Sequence, residues 1–273
     1  MARPVPHPAP SRPAILLLAA LLATGLLLMS GCATTAPPSP GEPEARQLYR
    51  EALQARRAQD YARALELYEE LLSRHPFGPY ARHARLEIAY VHYRRGEPES
   101  AVAAAERYIK LYPRDRYVDY AYYLRGLARE PRPGALERAF GLDPADRDAE
   151  AAREAFRHYA ELLRRFPRSR YAPDALRRMV RLRNALARHE LHVARLYLRR
   201  RAYVAAANRA AALLRRFDRT PSVPKALEVL EEAYRRLGLE DLAADVRRVL
   251  EHNRPRWRPR WRPRWEAGGP GAG

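Results

Sequence analysis

Cysteine occurs once in this chain of 273 residues, at Cys32, so no disulfide within the chain is possible. No alternating β-branched run bounded by turn residues is present, which argues against a strand-built fold. No glycine loop suited to phosphates appears, and no serine or cysteine stands in a recognisable nucleophile setting. His189-Glu190-Leu191-His192 is one residue short of the zinc-protease helix signature, with its histidines at i and i+3 and no third ligand evident. Asp143, Asp146 and Asp148 lack the glycine and distal glutamate of a calcium hand. No catalytic residue, metal site or cofactor is therefore expected. The longest apolar run, Ala14 to Leu28, is short for a membrane span.

What the chain does contain is a repeat. Residues 75–113 join two runs of helical period by a tight RRGEPES turn. Gly96 is the residue that best tolerates a left-handed helix end, and Pro98 suits a first helical turn. The second helix of each unit carries a small residue twelve positions before the closing residue. The pairs are Ala64 with Pro76, Ala101 with Pro113, Ala155 with Pro167, Ala206 with Asp218 and Ala243 with Pro255. In the first helices, Ala52, Ala89 and Gly126 are spaced 37 apart. Small residues at such positions let two helices cross closely. A helical hairpin repeated at this length predicts an all-α, tetratricopeptide-type solenoid of about five repeats.

The flanks differ from this body. Residues 1–31 carry Arg3 and Arg12, no acid, and an apolar core of signal-peptide length. The run ends in Met29-Ser30-Gly31-Cys32, which resembles the bacterial lipoprotein signal although Met29 stands where leucine is usual. That resemblance implies cleavage, acylation of Cys32 and a lipid anchor in a membrane. Ala33 after the cysteine favours, by the same resemblance, sorting to the outer membrane. Residues 32–43 read as a Pro-rich tether. The solenoid is expected over 44–253. Residues 254–273 are expected to be a disordered tail, in which RPRWRPRWRPRW holds six arginines and no acid.

The formal net charge of +19 leaves a second class of function open. A basic body and an Arg-Trp tail suit a periplasmic lipoprotein that binds nucleic acid or anionic envelope surfaces.

Four longer motifs decide between the readings. HPFGPY, the DYxxYLRGL of Asp119 to Leu127, the FGLDPADRD of Phe140 to Asp148, and the RxxYVAAANRAAALLRRF of Arg200 to Phe217 resemble the BamD family. Its members are lipoprotein subunits of the outer-membrane β-barrel assembly machine. The likeness covers about residues 44–250. It implies a non-enzymatic scaffold at the outer membrane, facing the periplasm, with BamA and other barrel-assembly subunits as partners. Nucleic acid is not an expected partner on this reading.

Two functional surfaces are expected. By resemblance the C-terminal units contact BamA, and Arg209, with Asn208, Arg195 and Tyr197 nearby, is expected to supply polar anchors. Arginine's planar fork meets a carboxylate in two contacts, which lysine cannot copy. On the first helices of the N-terminal units, one-face spacing gathers Tyr49, Leu53, Arg56, Leu86, Tyr90, Tyr93, Tyr120, Tyr123 and Leu127. Phe77 and Tyr80 are expected at the junction of the first two units, and Arg94 is close at hand. An aromatic groove with arginines suits an extended peptide that ends in an aromatic residue and a free carboxylate, as unfolded barrel substrates end.

Overall fold

Each stretch with helical period folds as a helix, and the turn residues between them set where each stops. The computed structural model describes residues 41–132, 148–253 and Trp261. The chain divides into a unit Met1–Pro43 and a second unit Glu44–Gly273, which holds the helical body. Cys32, the tail other than Trp261, and the FGLDPADRD motif up to Arg147 lie outside the described residues.

Ten α-helices and no strand are found among the described residues. They are α1 Glu42–Arg57, α2 Tyr61–Arg74, α3 Gly78–Arg95, α4 Pro98–Leu111, α5 Val118–Arg129, α6 Ala149–Arg165, α7 Ala172–Arg199, α8 Tyr203–Arg216, α9 Val223–Arg236 and α10 Glu240–Asn253. In sequence order they form five hairpins, a tetratricopeptide-type solenoid. From α2 onward each helix packs on the next, and α3 with α5 and α7 with α9 are also neighbours. At 28 residues α7 is twice the length of α8, and at about 1.5 Å per residue it is roughly 42 Å long.

The small residues sit where the helices cross. Ala64, Ala101, Ala155 and Ala206 are wholly buried, and so are Ala52 and Ala89. Gly126 shows why: a Cβ there would lie 2.3 Å from Cε1 of Tyr159. No side chain fits between α5 and that ring.

The corner inside a hairpin has its own repeat. Gly96 and Gly238 close α3 and α9 with φ of 78° and 72°. The same corners of the first and fourth hairpins are occupied by Gln59 at φ 62° and Arg201 at φ 57°. Left-handed backbone is unfavourable for residues with a Cβ; at these two exposed corners the Gln59 and Asp60 amides donate to the Arg56 and Ala55 carbonyls, and the Arg201 and Ala202 amides to those of Leu198 and Tyr197. Helix starts are capped locally. Asp60 accepts from the Arg63 amide at 3.1 Å, and Asp148 accepts from that of Ala151 at 2.9 Å.

The core is not uniform along the solenoid. Hairpins three to five share one large cluster that runs from Val118 to Ala233. Hairpin one and the start of α3 form a second, around Tyr68 and Leu71. Between them lie two small clusters, around Leu86 and Tyr108 and around Ala89 and Leu124.

Candidate functional site

The helical period of α3 puts Tyr80, His83, Glu87 and Tyr90 on one stripe, at spacings of three, four and three. That stripe meets α1. The Tyr49 ring lies 5.7 Å from Tyr80, 6.0 Å from Tyr68 and 6.1 Å from His83. Further along α1, Arg56 Nε lies 3.3 Å from Glu87 Oε2, and its guanidinium stands 5.3 Å over the Tyr90 ring. Arg94 donates to the Tyr90 hydroxyl at 2.7 Å and lies over Tyr61 at 5.3 Å. Tyr90 in turn lies 6.2 Å from Tyr93. Tyr49 and Tyr80 therefore form one contact group with Tyr68 and His83, and Arg56, Glu87, Tyr90, Tyr93 and Arg94 form a second, with Tyr49 within electrostatic reach of Glu87.

The other expected groove residues have different surroundings. Leu53 is half-buried on α1. Leu86 is buried with Tyr108 and Ala121. Tyr123 is buried too, stacked on Tyr171 at 4.9 Å with its hydroxyl donating to Asp174. Tyr120 packs 5.2 Å from Tyr171, so the tyrosines of α5 lean toward hairpin four. Phe77, at the N-terminal end of α3, is 87 % exposed.

Glu87 was not among the expected residues, and it dominates the local electrostatics. Burial raises its carboxyl above the usual range, with Arg56 opposing. Burial and then the Glu87 carboxylate push the Tyr49 hydroxyl up to about 12, and raise those of Tyr68 and Tyr120 as well. The ion pair is close but poorly angled. Arg56 Nε and Glu87 Oε2 are buried without a hydrogen bond, as is the Tyr68 hydroxyl. Buried polar atoms in folded proteins nearly always have a partner; the Nε atoms of Arg82, Arg85 and Arg125 share this lack with the cluster. The signal was present in the sequence as a lone acid within the tyrosine stripe of α3.

The C-terminal candidates arrange around a second buried acid. Glu190, 4 % exposed on α7, accepts from Arg209 of α8 at 3.0 Å and pairs with Arg153 of α6 at 3.6 Å. Arg209 keeps 41 % of its side-chain surface exposed. Glu190 thus fixes one edge of the guanidinium. Asn208 beside it is exposed, whereas Tyr197 packs against the core. Arg195 lies elsewhere on α7. It lines a cleft of about 490 Å³ with Arg188, His189, His192, Ser222 and Lys225. Arg209 is thus held by Glu190, while Tyr197 belongs to the core and Arg195 to this cleft. Glu190 sits within the His-Glu-Leu-His stretch, where its role is to hold arginines. No group of three or more metal-ligating side chains occurs among the described residues. None of the described helices is long and apolar enough to cross a membrane.

Comparison with known proteins ties this architecture to a lineage. Residues 42–250 match the family model YfiO, described as an outer membrane lipoprotein. The chain belongs to the outer membrane lipoprotein family that includes BamD. Outer membrane protein assembly factor BamD of Neisseria meningitidis serogroup A is 46 % identical over 77 % of this chain and 79 % of its own length. The same factor from Xylella fastidiosa is 39 % identical over 88 % and 82 %. That of Vibrio cholerae is 37 % identical over 86 % and 97 %. The family match covers all five hairpins and ends before the Arg-Trp repeat begins.

Proposed function

We propose that this chain is a non-catalytic scaffold in outer membrane protein assembly. It is held to the outer membrane by acylated Cys32, with the solenoid in the periplasm. Its N-terminal hairpins take the C-terminal segments of unfolded barrel substrates, and its C-terminal hairpins hold BamA. Family membership supports the assembly role. One observation carries the substrate reading: tyrosines of α1 and α3 gathered about the Arg56–Glu87 pair, with Arg94 beside Tyr90. Aromatic faces give contact area to an aromatic end residue, and guanidinium groups recognise a terminal carboxylate. Arg56 already holds a carboxylate of the chain's own. A peptide carboxylate with better geometry would replace it.

The test is binding of a labelled barrel-protein C-terminal peptide to the purified protein. Affinity should fall on amidation of the peptide carboxylate, and with Arg56→Ala or Arg94→Ala. Equal binding in all of these would leave a purely architectural role. For the partner face, Glu190 changes the choice of variant. Arg209→Glu would set two carboxylates together, so Arg209→Lys is the cleaner probe. It keeps a charge near Glu190 while losing the fork. Weaker co-purification of BamA with unchanged helicity is expected. Cys32→Ser should leave an unprocessed precursor that no longer fractionates with the outer membrane.

A further inference from the structure

A second aromatic feature lies far along the chain from the tyrosine surface, where hairpins three and four meet. A pocket of about 380 Å³ is formed there by Phe156 and Arg157 of α6, Arg183 and Leu186 of α7, and Phe217 at the end of α8. Its centrepiece is Arg183, a buried arginine at 5 % exposure. Arg183 donates to the carbonyl oxygens of Asp218 at 2.6 Å and Arg216 at 3.2 Å, and to Asp218 Oδ1 at 2.6 Å. The guanidinium is thus fixed in place as a flat, cationic wall. Phe217 lies on one side of it, at 5.8 Å.

One more ring completes the arrangement. Trp261 is half-buried, with its ring 5.0 Å from the Arg183 guanidinium carbon and 5.7 Å from the Phe156 ring. It packs against the large cluster of hairpins three to five. Indole is the best of the aromatic side chains at receiving a cation on its face. A guanidinium immobilised beforehand loses little freedom when it does so.

From this geometry we infer that the wall formed by Phe156 and Arg183 at the edge of this pocket is an indole-binding site, and that its occupant is Trp261 of the chain's own C-terminal segment. The contact sets Trp261 against Phe156 of α6 and Arg183 of α7. Charge does not draw it there. Arg260 and Arg262 adjoin Trp261 in the sequence, and four arginines line the pocket, like charges that do not favour the contact. The ring itself supplies the attraction. This assignment is independent of the assembly role and of the tyrosine surface.

Fluorescence tests it directly, because Trp257, Trp261 and Trp265 are the chain's three tryptophans. Trp257→Phe with Trp265→Phe leaves Trp261 as the sole indole, and Trp261→Phe with Trp265→Phe leaves Trp257. Trp261 emission should be blue-shifted and several-fold less quenched by acrylamide than that of Trp257. It should remain so at about 1 M salt, where charges more than about 3 Å apart are screened. Adding Phe156→Ala should shift Trp261 emission to the red and raise its quenching several-fold, with helicity by circular dichroism unchanged. The comparison of the two single-tryptophan proteins uses an unaltered pocket, so it holds even if Phe156→Ala unfolds the chain. Equal quenching of Trp257 and Trp261 would overturn the assignment. Loss of shielding in salt would overturn it as well. So would an indole shielded only when phosphatidylglycerol vesicles are added, which would make the segment a membrane ligand instead.

Discussion

Arg56 and Arg183 are both drawn into the solenoid, and they are held in opposite ways. Arg183 has its donors matched to two carbonyls and one carboxylate, and that carboxylate, Asp218, remains 61 % exposed to water. Arg56 meets Glu87 at 3.3 Å without a hydrogen bond, and the Tyr68 hydroxyl nearby has none either. A buried ion pair stabilises a fold only when its remaining polar atoms are satisfied. The Arg183 arrangement is therefore structural, a brace across α7 and the end of α8. The Arg56 arrangement leaves Arg56 Nε and Glu87 Oε2 without a hydrogen bond. The difference separates a braced joint from an ion pair with unsatisfied polar atoms within one repeated architecture.

The sharpest way to break this comparison is to remove each arginine's role in turn. Arg183→Ala should destabilise the fold by about 2–4 kcal/mol, since two carbonyls lose their donor and the charge-assisted contact goes with them. Chemical denaturation reads this, and Arg183→Lys should recover less than half. A change below about 1 kcal/mol would remove the brace. The next effect belongs to His158 on α6. Burial, then the nearby Arg125, lower its pKa to about 4. A histidine lowered in the fold takes up its proton more readily when unfolded, so stability falls as pH drops from about 6.5 to about 4. With partial exposure discounted, the loss should be about 1–2 kcal/mol, and His158→Gln should abolish it. Equal acid sensitivity of the two proteins would contradict this.

Glu87 carries the opposite sign. Its carboxyl is raised by burial, so the cost of ionising it appears as pH rises above its ordinary value near 4.3. Glu87→Gln should change stability at neutral pH by less than about 1 kcal/mol, and it should flatten this part of the pH profile. A large loss would make Glu87 as structural as Asp218, and the contrast would fail. The smallest effect concerns the hairpin corners. Gln59→Gly and Arg201→Gly each relieve a Cβ in left-handed backbone, and a gain of about 0.5–1 kcal/mol is expected from thermal melts. No gain would mean that the Gln59 and Arg201 side chains stabilise their own corners.

Much of the architecture is legible along the chain, for physical reasons that can be named. The 37-residue spacing of Ala52, Ala89 and Gly126 marks helix crossings, because close approach leaves no room for larger residues. Gly96 marks a corner because its φ is positive. Helical period places Tyr49 and Arg56 on α1 and Tyr90 and Tyr93 on α3, and the packing of α1 on α3 brings Arg56 over Tyr90. Less legible is which tyrosines stay at a surface. Tyr123 shares the period of Tyr49 yet is buried, because Tyr171 and Asp174, from the start of hairpin four, close over it.

The sequence by itself determined the helical hairpins, their number and their crossing points. These depend on local period, turn chemistry and side-chain size, all of which are read along the chain. Only the tertiary structure decided the fate of the charges. Glu87 against Arg56, Glu190 between Arg153 and Arg209, and Arg183 between Asp218 and Trp261 are meetings of residues from different parts of the chain. A charged side chain reads as a solvated surface until the fold supplies a partner, and the partner's distance along the chain carries no periodic signal.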